Sequence, residues 1–265
     1  MRLQLVRTAG RRAIGYFVAA AALGFFVLIS EVALKYFEVP VYLLPRPSQV
    51  INEIIQHFGY YLTQTSVTML EAASGFLVGN TIAYGLALFF VRFPSVEKMG
   101  LAAAVAVKST PIVVLAPLFI IWFGNGLFGK CLMAALICFF PMLVNSTVGL
   151  RSVDPDILNY LRSLGATPTQ TLLKVRIQTS LPYALAAAKA SSTISIVGAI
   201  VAELAGSDAG VGYIFLMSIY RLETEKMFAA IAFVAIAGVL FYSLVSLPTR
   251  VLSRHGWGDY TARMS

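Results

Sequence analysis

Long apolar runs broken by short basic punctuation restrict this chain more than any other feature. A helix that crosses a membrane needs about 20 mostly apolar residues. Six stretches meet or approach that demand, at residues 13–37, 61–91, 101–123, 131–150, 182–203 and 227–249. Only 12% of the chain is charged, about half the share of an ordinary soluble domain. A surface this short of charge cannot all face water. The fold class that follows is an all-α integral membrane protein, a single domain over residues 1–265 with the lipid bilayer as its first partner. The net charge of +8 does not indicate nucleic acid, which is bound by basic residues clustered on a polar face.

The basic residues also orient the chain. With the N-terminus inside, the inner segments hold Arg2, Arg7, Arg11, Arg12, Arg92, Lys98, Arg151, Arg162, Lys174, Arg176, Arg250, Arg254 and Arg263. The outer segments hold only Lys35, Arg46, Lys130, Arg221 and Lys226. Positive residues gather on the cytoplasmic side, so both termini are expected there, an arrangement that six spans permit. The first apolar run is too long, and lacks the cleavage site, for a removed signal peptide.

Two outer pieces fall short of spans. In "PSQVINEIIQ", Ser48 is placed to cap a short helix with Val50, Ile51, Ile54 and Ile55 on one face. Residues 206–226 read as an outer loop.

The longest inner segment, 151–181, has its own architecture. Asp154 followed by Pro155 starts a helix that stops at Gly165. Thr167 and Gln170 form a capping box around Pro168 and start a second helix. Pro182 marks the beginning of the fifth span. Two short helices hold no core of their own. They are either a connector folded onto the membrane end or a knob that docks on a partner.

The stretch "SLGATPTQ" followed by "SLPYAL" resembles the cytoplasmic loop of inner-membrane permeases of ATP-binding cassette importers, with Gly165 and the Leu181–Pro182 pair in matching places. The family's Glu-Ala-Ala start would fall on Asn159, Tyr160 and Leu161 and is absent. "LLPRPSQV", "TPIVVLAPLFIIWFGNG" and "VGAIVAELAGSDAGVGYI" are similar to the nitrate, sulfonate and taurine branch of these permeases. "MLEAASGF" and "KSTPIVVLAPLFIIWFG" look most like members associated with pyrimidine thiamine precursors or riboflavin.

The resemblance implies six helices of the type I importer fold in a bacterial inner membrane. It implies a second permease subunit, expected to be an identical copy, two separate ATPases and an extracytoplasmic substrate-binding protein. ATP and magnesium would belong to the ATPase, with no cofactor in this chain. Asn159, Arg162, Ser163, Leu164, Gly165, Ala166, Thr167 and Pro168 would couple to the ATPase. The solute would be riboflavin or a pyrimidine thiamine precursor, with taurine, an alkanesulfonate or nitrate as the alternative. A stand-alone secondary transporter is a more distant reading, because the inverted repeats expected of one are not found.

Ionisable groups inside spans are expensive and are candidates for function. Glu71, Lys108 and Glu203 are candidate pathway residues. With them stand the kink-forming Pro111 and Pro117, Asn145 as an interhelical hydrogen-bonding group, and Gly198 as a close-packing position. Gly75 and Gly79 form a G-x-x-x-G pair of the same packing kind. Lys189, near an inner end, reads as snorkelling. "GNGLFGKC" has phosphate-loop spacing, but Cys131 stands where Ser or Thr is needed. Cys131 and Cys138 share one helix face too far apart for a disulfide. Neither a metal cluster nor a hydrolytic triad is apparent, so the chain is not expected to be an enzyme.

Overall fold

The computed structural model describes residues 21, 22 and 24–252, and among them every regular element is a helix. The basic residues before position 21 and beyond position 252 that helped to orient the chain lie outside the described residues, as does the first part of the span expected at 13–37. In chain order the helices are α1 (24–36), α2 (Pro47–Gln56), α3 (Phe58–Arg92), α4 (Pro94–Ser109), α5 (Ile112–Phe123) and α6 (Leu127–Arg151). They continue with α7 (Pro155–Ser163), α8 (Pro168–Thr171), a π-helical turn (Leu172–Arg176), α9 (Ile177–Leu204), α10 (Val211–Arg221) and α11 (Thr224–Leu252). Pro47, Pro94, Pro155 and Pro168 each open a helix, where the missing N–H costs nothing.

Helices α3, α6 and α9 form the centre. Their approach is set by small residues. A Cβ added to Gly75 would sit 2.5 Å from the Ala134 Cβ, and one on Gly79 only 2.4 Å from the Ala135 carbonyl oxygen. From α9, a Cβ on Gly198 would come within 2.8 Å of the Ala134 Cα. The G-x-x-x-G pair and Gly198 therefore meet α6 from two sides. This close contact brings backbones together where dispersion and weak polar contacts act. Cys138 donates its Sγ hydrogen to the Ser191 carbonyl at 3.4 Å across the same seam.

Four helices are long and apolar enough to cross a membrane, starting at Phe58, Leu127, Pro168 and Thr224. Helix α11 combines the highest mean hydropathy of these, 2.5, with the least burial. Ile236, Val239, Leu240 and Leu244 lie bare along it. An apolar helix left bare to this extent needs lipid or another membrane chain to cover it.

The third expected span is different. Helices α4 and α5 meet at 96°, so residues 101–123 are a broken pair and not one rod. Pro111 is the N-cap of α5 and cannot carry a helix through that point. Pro117 lies inside α5 without breaking it. The 206–226 segment is more than a loop, because its middle is the apolar helix α10. Ser48 does not cap α2; it lies past Pro47, and its N–H and Oγ–H both donate to the Glu31 carboxylate, at 3.0 and 2.7 Å. The α2 apolar residues divide. Val50 and Ile54 pack beside Tyr61 and Val211, whereas Ile51 and Ile55 are exposed. Pro182 lies inside α9 and not at its start.

Candidate functional site

Two structured regions lie at opposite ends of one helical rod. Helix α8, the π turn and α9 run without interruption from Pro168 to Leu204. At 1.5 Å per residue, those 37 residues make a path of about 55 Å.

At one end stands the elbow. The Asp156 N–H donates to the Asp154 Oδ1 at 2.8 Å and caps α7. Gly165 takes φ +76°, a left-handed conformation natural to glycine. The Ala166 N–H donates to the Leu161 carbonyl and the Gly165 N–H to the Arg162 carbonyl, each at 3.0 Å, which closes the helix as a Schellman-type turn. The Gln170 N–H then donates to the Thr167 Oγ1 at 3.2 Å, while the Thr167 N–H donates to the Gln170 Oε1 at 2.9 Å. Two donors at the start of the next helix are thereby satisfied.

The base of the elbow is fastened. Arg176 donates through Nη1 to the Leu150 carbonyl at 2.8 Å. Val153 is buried, and Arg151 pairs with Glu97. The tip is bare. Asn159, Arg162, Ser163, Gly165, Thr167 and Pro168 are exposed, Ala166 is half-buried, and Leu164 is 66% exposed. Ile157 and Tyr160 join Leu164 on the exposed surface. These two were not among the residues picked from the sequence. Their i, i+3, i+7 spacing with Leu164 is a stripe that the opposite stripe, Leu158 and Leu161, obscures.

At the other end of the rod is a buried polar junction. Glu71 of α3 pairs with Lys130 of α6 at 3.0 Å, both almost wholly buried. The Lys130 Nζ also donates to the Ser207 Oγ at 2.6 Å. Glu203, at the end of α9 and fully buried, accepts from the Thr68 Oγ1 at 2.6 Å and from the Gly212 N–H at 2.5 Å. The Val211 N–H donates to the Thr68 Oγ1, and the Gly210 N–H to the Gln64 Oε1. Lys130 answers Glu71, and the N-terminus of α10 offers Glu203 the Gly212 N–H and its positive dipole end. Gly210 has φ +101°, and a Cβ there would lie 2.0 Å from the Glu203 Oε1, so the loop can pass only as glycine.

The junction ties α3, α6, α9 and α10 into one block. Glu71 and Glu203 were picked from the sequence; Lys130 was placed in an outer loop and is instead in the first turn of α6. The sign of its role was available, since two buried carboxylates on neighbouring spans need a cation.

Lys108 is not in this junction. It lies in the last turn of α4, at the break, with Nζ 4.3 Å from the centre of the Phe140 ring. Lys108 and Pro111 line an apolar cavity of about 790 Å³ with Phe90, Ile137 and Pro141. Pro117 is exposed on α5. Asn145 is exposed and donates to the Pro141 carbonyl of its own helix at 2.8 Å, in place of a bond to a neighbour. Gly198 is in the packing seam described above. The pathway candidates are therefore dispersed over the junction, the broken pair and the seam.

A family described as the inner membrane component of binding-protein-dependent transport systems matches residues 75–255. The riboflavin transport system permease protein RibX of Chloroflexus aurantiacus is 30% identical, over 81% of this chain and 81% of its own length. The formylaminopyrimidine transport permease protein ThiX of Halalkalibacterium halodurans is 26% identical, over 85% of this chain and 90% of its own. The taurine transport system permease protein TauC of Escherichia coli is 28% identical, over 80% of each. Among solved structures, a chain of the MetNI methionine ABC transporter in inward-facing conformations superposes with a TM-score of 0.64 at 16% identity, covering 74% of this chain and 97% of that one.

Proposed function

This chain belongs to the binding-protein-dependent transport system inner membrane components, as a permease subunit of the type I importer fold, and we propose that it converts movement at its elbow into opening and closing at the buried junction about 55 Å of helix away. The elbow is on the cytoplasmic face, and an ATPase seats Ile157, Tyr160 and Leu164 in a cleft. Two copies of the permease enclose the pathway, each with its own ATPase, and a binding protein delivers the solute from outside. ATP and magnesium act in the ATPase.

The observation that carries this reading is the continuity of α8, the π turn and α9. A capped elbow joined to an unbroken helix transmits displacement. A loose connector would absorb it. The rod ends at Glu203, which holds the first turn of α10, so tilting the rod moves α10 and the loop before it.

The solute proposed is riboflavin or a pyrimidine thiamine precursor, supported by the similarity to RibX and ThiX. A sulfonate such as taurine is the second reading, because TauC is similar to the same degree.

Uptake in cells carrying the whole system, with riboflavin, hydroxymethylpyrimidine, taurine, alkanesulfonates and nitrate as competitors, tests the solute. Ser163→Cys crosslinking tests the coupling. Capture of an ATP-hydrolysing chain is the expected result. Failure to reach one, with the cysteine labelled only from outside the cell, would overturn the reading.

A further inference from the structure

A second, smaller cavity, of about 160 Å³, lies behind the elbow, where α7, α8 and the π turn face the last turn of α3. Three arginines converge on it: Arg92 from the end of α3, Arg162 from α7 and Arg176 from the π turn. No Asp or Glu lines it. Among the described residues, none of the three makes an ion pair. The nearby carboxylate Glu97 is taken by Arg151. Only one donor of Arg176 is engaged within the chain, at the Leu150 carbonyl.

Arg162 and Arg176 repel one another across the hollow, Arg92 meets only the face of the Phe93 ring, 5.3 Å away, and among the described residues no carboxylate balances the three. Each presents a planar fork of N–H donors that matches phosphate geometry. The remaining wall is partly apolar, through Leu158 and Leu172, and low polarity strengthens a charge-assisted bond.

We propose that this hollow binds a phosphate-type oxyanion that clasps the elbow to the end of α3. A membrane offers such a group as the headgroup of an anionic phospholipid, and the cytosol offers it as free phosphate. Position favours the lipid. Arg92 closes an apolar, membrane-length helix, which is the level at which headgroups lie, and basic residues there attract anionic lipid. The inference rests on the cavity alone and stands whether or not the transported solute is identified correctly.

The test is native mass spectrometry of the purified full chain in detergent, titrated with phosphatidylglycerol or phosphatidylcholine. In parallel, the thermal midpoint is followed with millimolar inorganic phosphate. The wild type is expected to retain phosphatidylglycerol in preference to phosphatidylcholine. Arg92→Gln with Arg162→Gln, both at exposed positions, is expected to weaken that affinity roughly fivefold per arginine removed. A midpoint raised by inorganic phosphate in the wild type and not in the double variant, without preference between the lipids, would assign the same site to the free anion. The proposal is overturned if the double variant, with its helical circular dichroism intact, responds to lipid and phosphate as the wild type does, or if the wild type responds to neither. Should the double variant not fold, Arg162→Lys replaces it: it keeps the charge and loses the fork, and unchanged phosphatidylglycerol binding by this variant overturns the bidentate clasp.

Discussion

Lys130 is the residue on which the buried junction turns. It is 6% exposed and bonded to both Glu71 and Ser207. Removing one partner of a buried pair strands the other charge and costs about 3–5 kcal/mol. Lys130→Met is therefore expected to lower the unfolding midpoint of the purified chain sharply, and adding Glu71→Gln should recover part of the loss. A single variant as stable as the wild type would show that the pair holds nothing. Gly210→Ala should also destabilise. It places a methyl group against Glu203 and puts a non-glycine residue at φ +101° and ψ 173°, a region kept almost wholly to glycine, which alone costs about 1–3 kcal/mol. The two acids were legible in the sequence because charge within an apolar run stands out. The two acids called for a cation, but which lysine supplies it was not legible, because a lysine near the edge of a run looks the same whether it snorkels outward or folds inward.

The elbow and rod make their own predictions, at the scale of the element. Thr167→Ala removes one half of the capping box and should cost about 0.5–2 kcal/mol of local stability. The chain should still insert, while ATP hydrolysis by the assembled system becomes less dependent on the binding protein. Unaltered coupling in that variant would mean that the stiffness of the elbow is irrelevant. The two helix starts, the glycine stop and the prolines at first positions were readable in advance because each has a local signature. The continuity of the rod was not. Pro182 looks like a boundary, yet inside α9 it is tolerated, as prolines are in membrane helices whose neighbours satisfy the freed groups. Residues 101–123 failed in the opposite sense. Their apolar run is long enough for one span, and hydropathy does not register that Pro111 caps a new helix at 96° to the last.

At the scale of the whole molecule, the class, the presence of close-packing glycines and the family were accessible from composition, small-residue spacing and motif order, but not which helix those glycines meet. Which surfaces meet lipid and which meet another chain depends on tertiary contacts that no local pattern records. One such surface adjoins the broken pair. Ser109, Thr110 and Pro111 line the same cavity as Ile137 and Phe140, midway along α6, and α5 begins there without a side-chain cap. Hydrocarbon does not tolerate irregular backbone unless protein or water covers it. With Cys131 and Cys138 replaced by Ala or Ser, Thr110→Cys should crosslink to a second copy or react with a water-soluble maleimide. Inertness to both would place the bend against lipid. Either reaction would keep the backbone of the bend out of oil, a second chain roofing it in the first case and water filling it in the second.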